Sequence, residues 1–436
     1  MIKSFINSYP RVLIITGEPF SKSTATGITL QGLFGDWPKE RLFQIYTTKL
    51  ESESTSAVKN IELTPASLVP FFYFPRRDKV STYIERRPTD SVRRSRFVSF
   101  RQIIRRYFIP IIDLLPYKLD KEQILRIEEF EPDAIYTLLG NIRLTRLAYS
   151  LSKRLNIPVV PHFMDDWLAT YSVPGKSNGG RVHRFLLEFA VSKLFSRTKF
   201  AMAISDKMKE EYSCRFSTQF FTFMNPVNEI KAEREYAFSE NNNFRFIYFG
   251  GLHLGRLKVL RQLAEILKSL ADDGYSLELK IYAPYGEASE IKVLESKYQF
   301  IKYGGYLDYV NSNAIISEFS IGIQLESFDS NIKKYTRLSL STKIPQYLAA
   351  GLPILAVAPD DIASSEYIFD NDVGIVVAAD FNAKNISIIK NFIADVVRRQ
   401  QFSCNAIRLA QNAHMSESVR GRFRDVLMSA VLAECK

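Results

Sequence analysis

The apolar positions of this chain fall into two alternating sets of strand and helix patterns, separated by a polar stretch and interrupted once by a segment of different character. Residues 11–16 are a short apolar run rich in β-branched side chains. A loop follows from Gly17 to Gly27, and then an apolar helical pattern at Ile28, Leu30, Leu33 and Phe34. A buried strand, a glycine-containing loop and a helix make the opening βα unit of a parallel sheet. Further strands are predicted at 44–47, 134–137, 159–160, 200–204 and 220–223, with helices at 142–155 and 207–212 among them. The polar run 229–243 reads as an interdomain linker. In the second set, strands at 244–249, 277–282, 301–303, 320–324, 354–357 and 374–377 alternate with helices at 256–271, 287–298 and 310–319. Terminal helices follow at 383–401 and 419–433. Alternation of this kind predicts an α/β protein of two Rossmann-like, doubly wound domains facing across a cleft. The division predicted is 1–228 for the first domain, 229–243 for the linker and 244–415 for the second domain. Residues 416–436 are expected to form a helix packing back on the first domain.

The stretch 341–357 concentrates the candidate chemistry. Ser341, Thr342 and Lys343 form a loop, Pro345 to Ala350 a short helix closed by Gly351, and a buried strand follows. Proline suits a first helical turn, where its missing N–H has no partner to lose, and glycine just past the end supplies a left-handed cap. A helix N-terminus with a lysine and two hydroxyls suits a phosphate. An ordinary helix capped by Ser or Thr, with a solvated lysine, fits the same pattern.

Composition narrows the class. A hydrophobic fraction of 46% and a charged fraction of 24% over 436 residues are those of a globular protein with room for two or three cores. No apolar run reaches the ~18 residues needed to span a bilayer, and the N-terminus lacks the layout of a signal peptide, so a cytoplasmic location is expected. Cys214, Cys404 and Cys435 are widely spaced and form neither a disulfide framework nor a zinc pattern.

The net charge of +11 points to an anionic partner, and most of it lies in one place. Between Arg76 and Arg106 there are eleven Lys or Arg and three acidic residues, a net of +8. Within the aromatic-rich segment 71–117, apolar residues at 97, 100, 103, 104, 107 and 108 share one helical face, with Arg101, Arg105 and Arg106 off it. Such a helix suits the surface of an anionic membrane, and equally a helix packed on its own domain with its arginines in water. No zinc-finger spacing, RNP-like strand or basic-zipper heptad supports nucleic acid. The expected contact is therefore peripheral, at the inner face of the cell membrane, through 76–109.

Several short motifs occur in a fixed order. In the first half they are Pro161 to Trp167 (PHFMDDW), Ile204 to Met208 (ISDKM) and Asn225-Pro226-Val227. In the second they are Ile247 to Gly251 (IYFGG) with Gly255-Arg256, then Ser341 to Pro353 (STKIPQYLAAGLP), Ser365 to Ile368 (SEYI) and Gly374. This combination resembles the GT-B fold nucleotide-sugar glycosyltransferases, nearest to the family 4-like enzymes that build bacterial surface polysaccharides. The resemblance covers both domains and is weakest between residues 48 and 130.

The resemblance implies a nucleoside diphosphate sugar as donor substrate, held by the second domain without a metal or other cofactor. It further implies a lipid-linked or saccharide acceptor held by the first. Arg256 and Lys343 match the basic residues that stabilise the leaving diphosphate as the glycosidic bond breaks. A cation in a first helical turn opposes the helix dipole, which itself asks for an anion at Arg256. Gly250 and Gly251 would admit the diphosphate close to the backbone, or simply make a tight turn. Ser341 and Thr342 would add hydroxyls, and Glu366 a donor-side carboxylate. Two glutamates usually frame the late helix in such enzymes; the matching positions here hold Ser339 and Gln346. Gln346 still offers an amide to ribose hydroxyls. On the acceptor side stand Thr26 and Gly27 after the first strand, His162 past a strand end as a sugar contact, and Asp165, Asp166 and Trp167. Either carboxylate would serve as general base in an inverting enzyme. In a retaining one, the expected case, the donor phosphate takes the proton. Asp370-Asn371-Asp372 has the form of a metal-binding DxD but is common turn chemistry, and no metal is expected. Two alternatives accompany this reading: a non-catalytic partner subunit that retains nucleotide-sugar binding, suggested by Ser339 and Gln346, and a sugar-nucleotide epimerase on the same fold.

Overall fold

The computed structural model describes residues 9–21, 24–48, 59–63, 117–170, 180–231, 243–307, 312–380 and 382–434. The basic segment 76–109 and Cys435 lie outside them. The chain divides into two compact units. The first is Met1–Phe223 with Arg420–Lys436, and the second is Met224–Val419.

In the first unit, β1 (Val12–Ile15), β2 (Leu42–Tyr46), β3 (Lys59–Glu62), β4 (Ala134–Leu138), β5 (Val159–Phe163), β6 (Phe200–Ala203) and β7 (Gln219–Thr222) form one sheet. The strand order is β3-β2-β1-β4-β5-β6-β7. Every pairing is parallel, for example Val12 to Leu42 and to Ala134. β1, β4 and β5 are buried along their whole length, as strands covered on both faces must be. Asn141 caps the helix Ile142–Leu155 by accepting from Leu144 N–H, and Asn156 ends it in the left-handed region. The chain's last helix, Ser416–Glu434, places Phe423 among Phe34, Trp37, Tyr136 and Phe223, an edge-to-face aromatic cluster in the first unit's core.

The second unit carries β8 (Asn243–Phe249), β9 (Ser276–Tyr282), β10 (Ile301–Gly305), β11 (Ile321–Leu325), β12 (Ile354–Val357) and β13 (Gly374–Val377). They are ordered β10-β9-β8-β11-β12-β13 and all parallel. This is the 3-2-1-4-5-6 arrangement of a doubly wound sheet, whose order reverses between β8 and β11. The helix Arg256–Asp272 buries Val259, Leu260, Leu263, Leu267 and Leu270, a 3.6-residue stripe, in one apolar cluster with Phe246, Tyr248, Leu279 and Ile281.

Several local expectations change. The first helix is Ala25–Leu33, so Thr26 and Gly27 lie in a helical first turn rather than a loop. Thr24 is the cap, accepting from Gly27 N–H. Ala363, Ser364 and Ser365, just before Glu366, open the helix Ala363–Asp370. The single helix expected over 383–401 is two, Ala383–Ala394 and Val396–Leu409. Asp395 breaks the run because its carboxylate caps the second helix at Arg398 N–H. Among the described residues no helix is long and apolar enough to cross a membrane.

Candidate active site

At the carboxyl end of β8 the chain leaves the sheet through Gly250, at φ 111°. A side chain there would be strained by the backbone alone, and its Cβ would meet Lys343 Cε at 2.5 Å. Gly250 thus makes room for Lys343, which arrives from the loop before β12. The Lys343 ammonium lies over the Tyr248 ring at 4.4 Å from its centroid and donates to the Tyr248 hydroxyl at 3.2 Å. That hydroxyl donates in turn to the Gly251 carbonyl at 2.7 Å, so Gly251 is part of the scaffold under Lys343. The next N–H, of Leu252, is held by Glu287 Oε2 at 2.7 Å.

Lys343 is not the solvated lysine of a capped helix. It is only 8% exposed. Burial, followed by the positive charge of Arg256, pushes its pKa down to about 7, with Glu326 and Glu287 opposing. It also occupies the N-cap position expected for Ser341 or Thr342, with no side-chain capping bond. The helix behind it, Ile344–Ala349, is only six residues long, so the positive charge available here is mainly that of the side chain. Ser341 donates its N–H to Ser364 Oγ at 3.1 Å, which ties this loop to the helix Ala363–Asp370, and Thr342 is half-buried.

Arg256 opens its helix after the left-handed Gly255, as expected, but its counter-ion lies within the protein. Its Nη2 donates to Glu326 Oε1 at 2.9 Å and its Nε to the Leu325 carbonyl at 3.1 Å. Glu326 directly follows β11, on the far side of the strand-order reversal. His253, exposed in the same turn, has its pKa lowered, first by desolvation and then by Arg256. Gln346 is buried and donates from Nε2 to Ser312 Oγ at 2.7 Å, leaving its Oε1 without a hydrogen-bond partner among the described residues. Glu366 is half-buried in the first turn of the helix Ala363–Asp370. Gly250, Gly251, Arg256 and Lys343 are therefore brought together, with Tyr248, Glu326, Glu287 and His253 as members that sequence reasoning missed. The available signal was a glutamate ending an apolar strand.

The first unit corrects its candidates. His162 is a residue of β5, in register with Leu138 and Met202, and is fully buried rather than past the strand's end. Its Nδ1 is 2.8 Å from the Tyr136 hydroxyl, and burial pushes its pKa down to about 3, so it is neutral at physiological pH. Asp166 is buried and accepts from the Tyr212 hydroxyl at 2.7 Å. Trp167 is buried and stacks on Phe163 at 6.3 Å. Asp165 is half-buried. Gly27 is packed on Ser21, where a Cβ would lie 2.5 Å from the backbone nitrogen. Thr26 beside it is half-buried. These side chains share one end of a sheet, but most serve its core.

Asp372, the second acid of the Asp-Asn-Asp run, adopts φ 52° and receives Arg398 and Asn405. It serves as a turn anchor. Among the described residues no group of three or more His, Cys, Asp or Glu side chains is placed to hold a metal ion.

Residues 261–392 match the family described as Glucosyltransferase 3-like, C-terminal domain, a span that contains Glu326 and Lys343 and starts just after Arg256. No curated protein sequence matches the chain. Among solved structures, HepE of Anabaena in complex with UDP is similar at a TM-score of 0.60 and 12% identity, over 96% of this chain and 100% of that one. A sucrose-phosphate synthase from Thermosynechococcus elongatus is similar at 0.62 and 11% identity, over 97% and 100%. A glycosyltransferase from Rickettsia africae is similar at 0.58 and 14%, over 98% and 99%. At these identities the likeness establishes the fold: two parallel-sheet α/β domains matching GT-B glycosyltransferase structures.

Proposed function

We propose that the protein is a glycosyltransferase that moves a sugar from a nucleoside diphosphate donor to a saccharide acceptor, probed first with UDP-sugars. The observation that carries this reading is the meeting of Arg256 and Lys343 at the reversal of the second sheet, where doubly wound folds bind ligands. A half-buried guanidinium and a buried lysine side by side suit the negative charge that develops on a departing diphosphate. That charge supply is why no metal enters the proposal. The similarity to HepE, whose structures hold UDP, UDP and glucose, and UDP-glucose, supports the choice of donor.

The finer features rest on the sequence: the resemblance carries an enzyme of family 4 type and a lipid-linked acceptor of surface-polysaccharide synthesis, and the basic amphipathic pattern carries attachment to the inner membrane face through 76–109. Retention of configuration is proposed from the same resemblance, with the donor phosphate taking the acceptor's proton; Asp166 Oδ1 is already engaged by the Tyr212 hydroxyl. Asp165 then orients the acceptor, and Gln346 and Glu366 contact the donor. The test is release of UDP from a panel of UDP-sugars, with and without saccharide acceptors, alongside calorimetric binding of each donor. Turnover with at least one pair is the expected result. Tight binding without turnover would favour the partner-subunit reading that Ser339 and Gln346 allow, and no binding of any donor would end both.

A further inference from the structure

Glu326 contacts Arg256 directly and acts electrostatically on Lys343. Two N–H groups along one edge of the Arg256 guanidinium are held by consecutive residues at the end of β11: Nε by the Leu325 carbonyl and Nη2 by Glu326 Oε1. Two contacts on one edge fix the plane of the group as well as its distance. The pair is not a surface ion pair, since the side chains are 14% and 4% exposed. Gln324 Nε2 donates to the same Oε1 at 2.9 Å, which holds the carboxylate from its own strand. Glu326 Oε2 is buried and has no hydrogen-bond partner among the described residues. A buried carboxylate that leaves one oxygen unused costs the fold desolvation energy without return.

We propose that Glu326 is a positioning residue of the donor site, which fixes the guanidinium of Arg256 and supplies the negative charge that keeps Lys343 cationic beside it. The proposal rests on the donor reading of that site. The charged and titratable groups around Lys343 come from every neighbouring element. Arg256 opposes its protonation, Glu326 and Glu287 favour it, and the Tyr248 hydroxyl, pushed up by burial, stays neutral. His253, in the turn after β8, is held below its ordinary pKa and is mainly uncharged above neutrality. Glu326 is the nearer balance to Arg256, being in direct contact with it. Without that carboxylate, Lys343 would release its proton at lower pH and offer a phosphate a neutral amine.

The full-length protein and its Glu326→Gln and Glu326→Asp variants test this. Lysine Cε is labelled with carbon-13, and the Lys343 resonance is identified by its loss in Lys343→Met. The titration midpoint of that resonance should fall by about one pH unit or more in Glu326→Gln and move by less than ~0.3 unit in Glu326→Asp. A midpoint unmoved in Glu326→Gln would overturn the proposal. UDP binding is then followed by calorimetry across roughly pH 5.5 to 9. The alkaline loss of affinity should shift downward with the same midpoint, leaving Glu326→Gln ~10-fold weaker than wild type above neutrality, with Glu326→Asp restoring most of the loss. An affinity lowered equally at every pH would mark a merely structural role and contradict the proposal. A wild type that binds no UDP, with the Lys343 midpoint still moving in Glu326→Gln, would contradict the donor reading alone.

Discussion

The carboxyl ends of the two sheets hold similar numbers of polar candidates and use them in opposite ways. In the first unit, His162 within β5 is matched to Tyr136 and Asp166 just after it to Tyr212, each buried group meeting a neutral phenol. After β8 and β11 of the second, Arg256 pairs with Glu326, and buried Lys343 lies on the face of the Tyr248 ring and donates to its hydroxyl. The first arrangement is what a sheet does with polar residues it must bury. The second places a buried lysine, its pKa lowered to about 7, beside an arginine. The difference separates buried groups matched to neutral partners from the basic residues that the proposed donor would engage.

Three substitutions sharpen that contrast. Arg256→Ala strands Glu326 as an unpaired buried charge and should cost about 3–5 kcal/mol of stability in urea unfolding. It should also lower turnover more than ~10-fold. A rate and affinity equal to wild type would place Arg256 outside the site. Gly250→Ala, strained at its left-handed φ and driven into Lys343, should cost about 1–3 kcal/mol and weaken UDP binding, both read in one calorimetric series. Tyr212→Phe removes one hydrogen bond to Asp166 and should cost about 1–2 kcal/mol while leaving UDP affinity within error of wild type. A change in UDP affinity there would blur the distinction between the two sheet ends.

Much of the scaffold was legible because its apolar pattern is strong. The helix Ile142–Leu155 and the strand Gly374–Val377 fall on the residues that periodicity predicts. Elements without that signal were passed over. β3 is an edge strand with an exposed lysine and asparagine, and the helix Lys121–Phe130 buries only Ile127 and Phe130 along a charged surface. The candidate site was half legible. Gly250, Arg256 and Lys343 stand in short motifs, whereas Tyr248 looks like one more core residue of a strand. Glu326 becomes meaningful only when strand order places β11 beside β8. His162 misled for the opposite reason: Pro158 and Pro161, on either side of Val159-Val160, hid the full length of β5, so a core residue read as one beyond the strand.

Lys343→Met gives the most direct test of the claim that Lys343 is held for an anion and not for the fold. With its pKa near 7 in the folded protein against an ordinary 10.5, the unfolded chain binds a proton that the folded chain does not. Lys343 therefore takes stability from the fold progressively as pH falls from the higher value to the lower, and the full cost is present below the lower one. Methionine fills a similar volume without the charge. Thermal unfolding of Lys343→Met, paired with UDP calorimetry, should show a higher Tm than wild type at neutral pH, a gap that narrows toward alkaline pH, and UDP affinity lower by more than ~10-fold. A lower Tm with unchanged UDP affinity would contradict it.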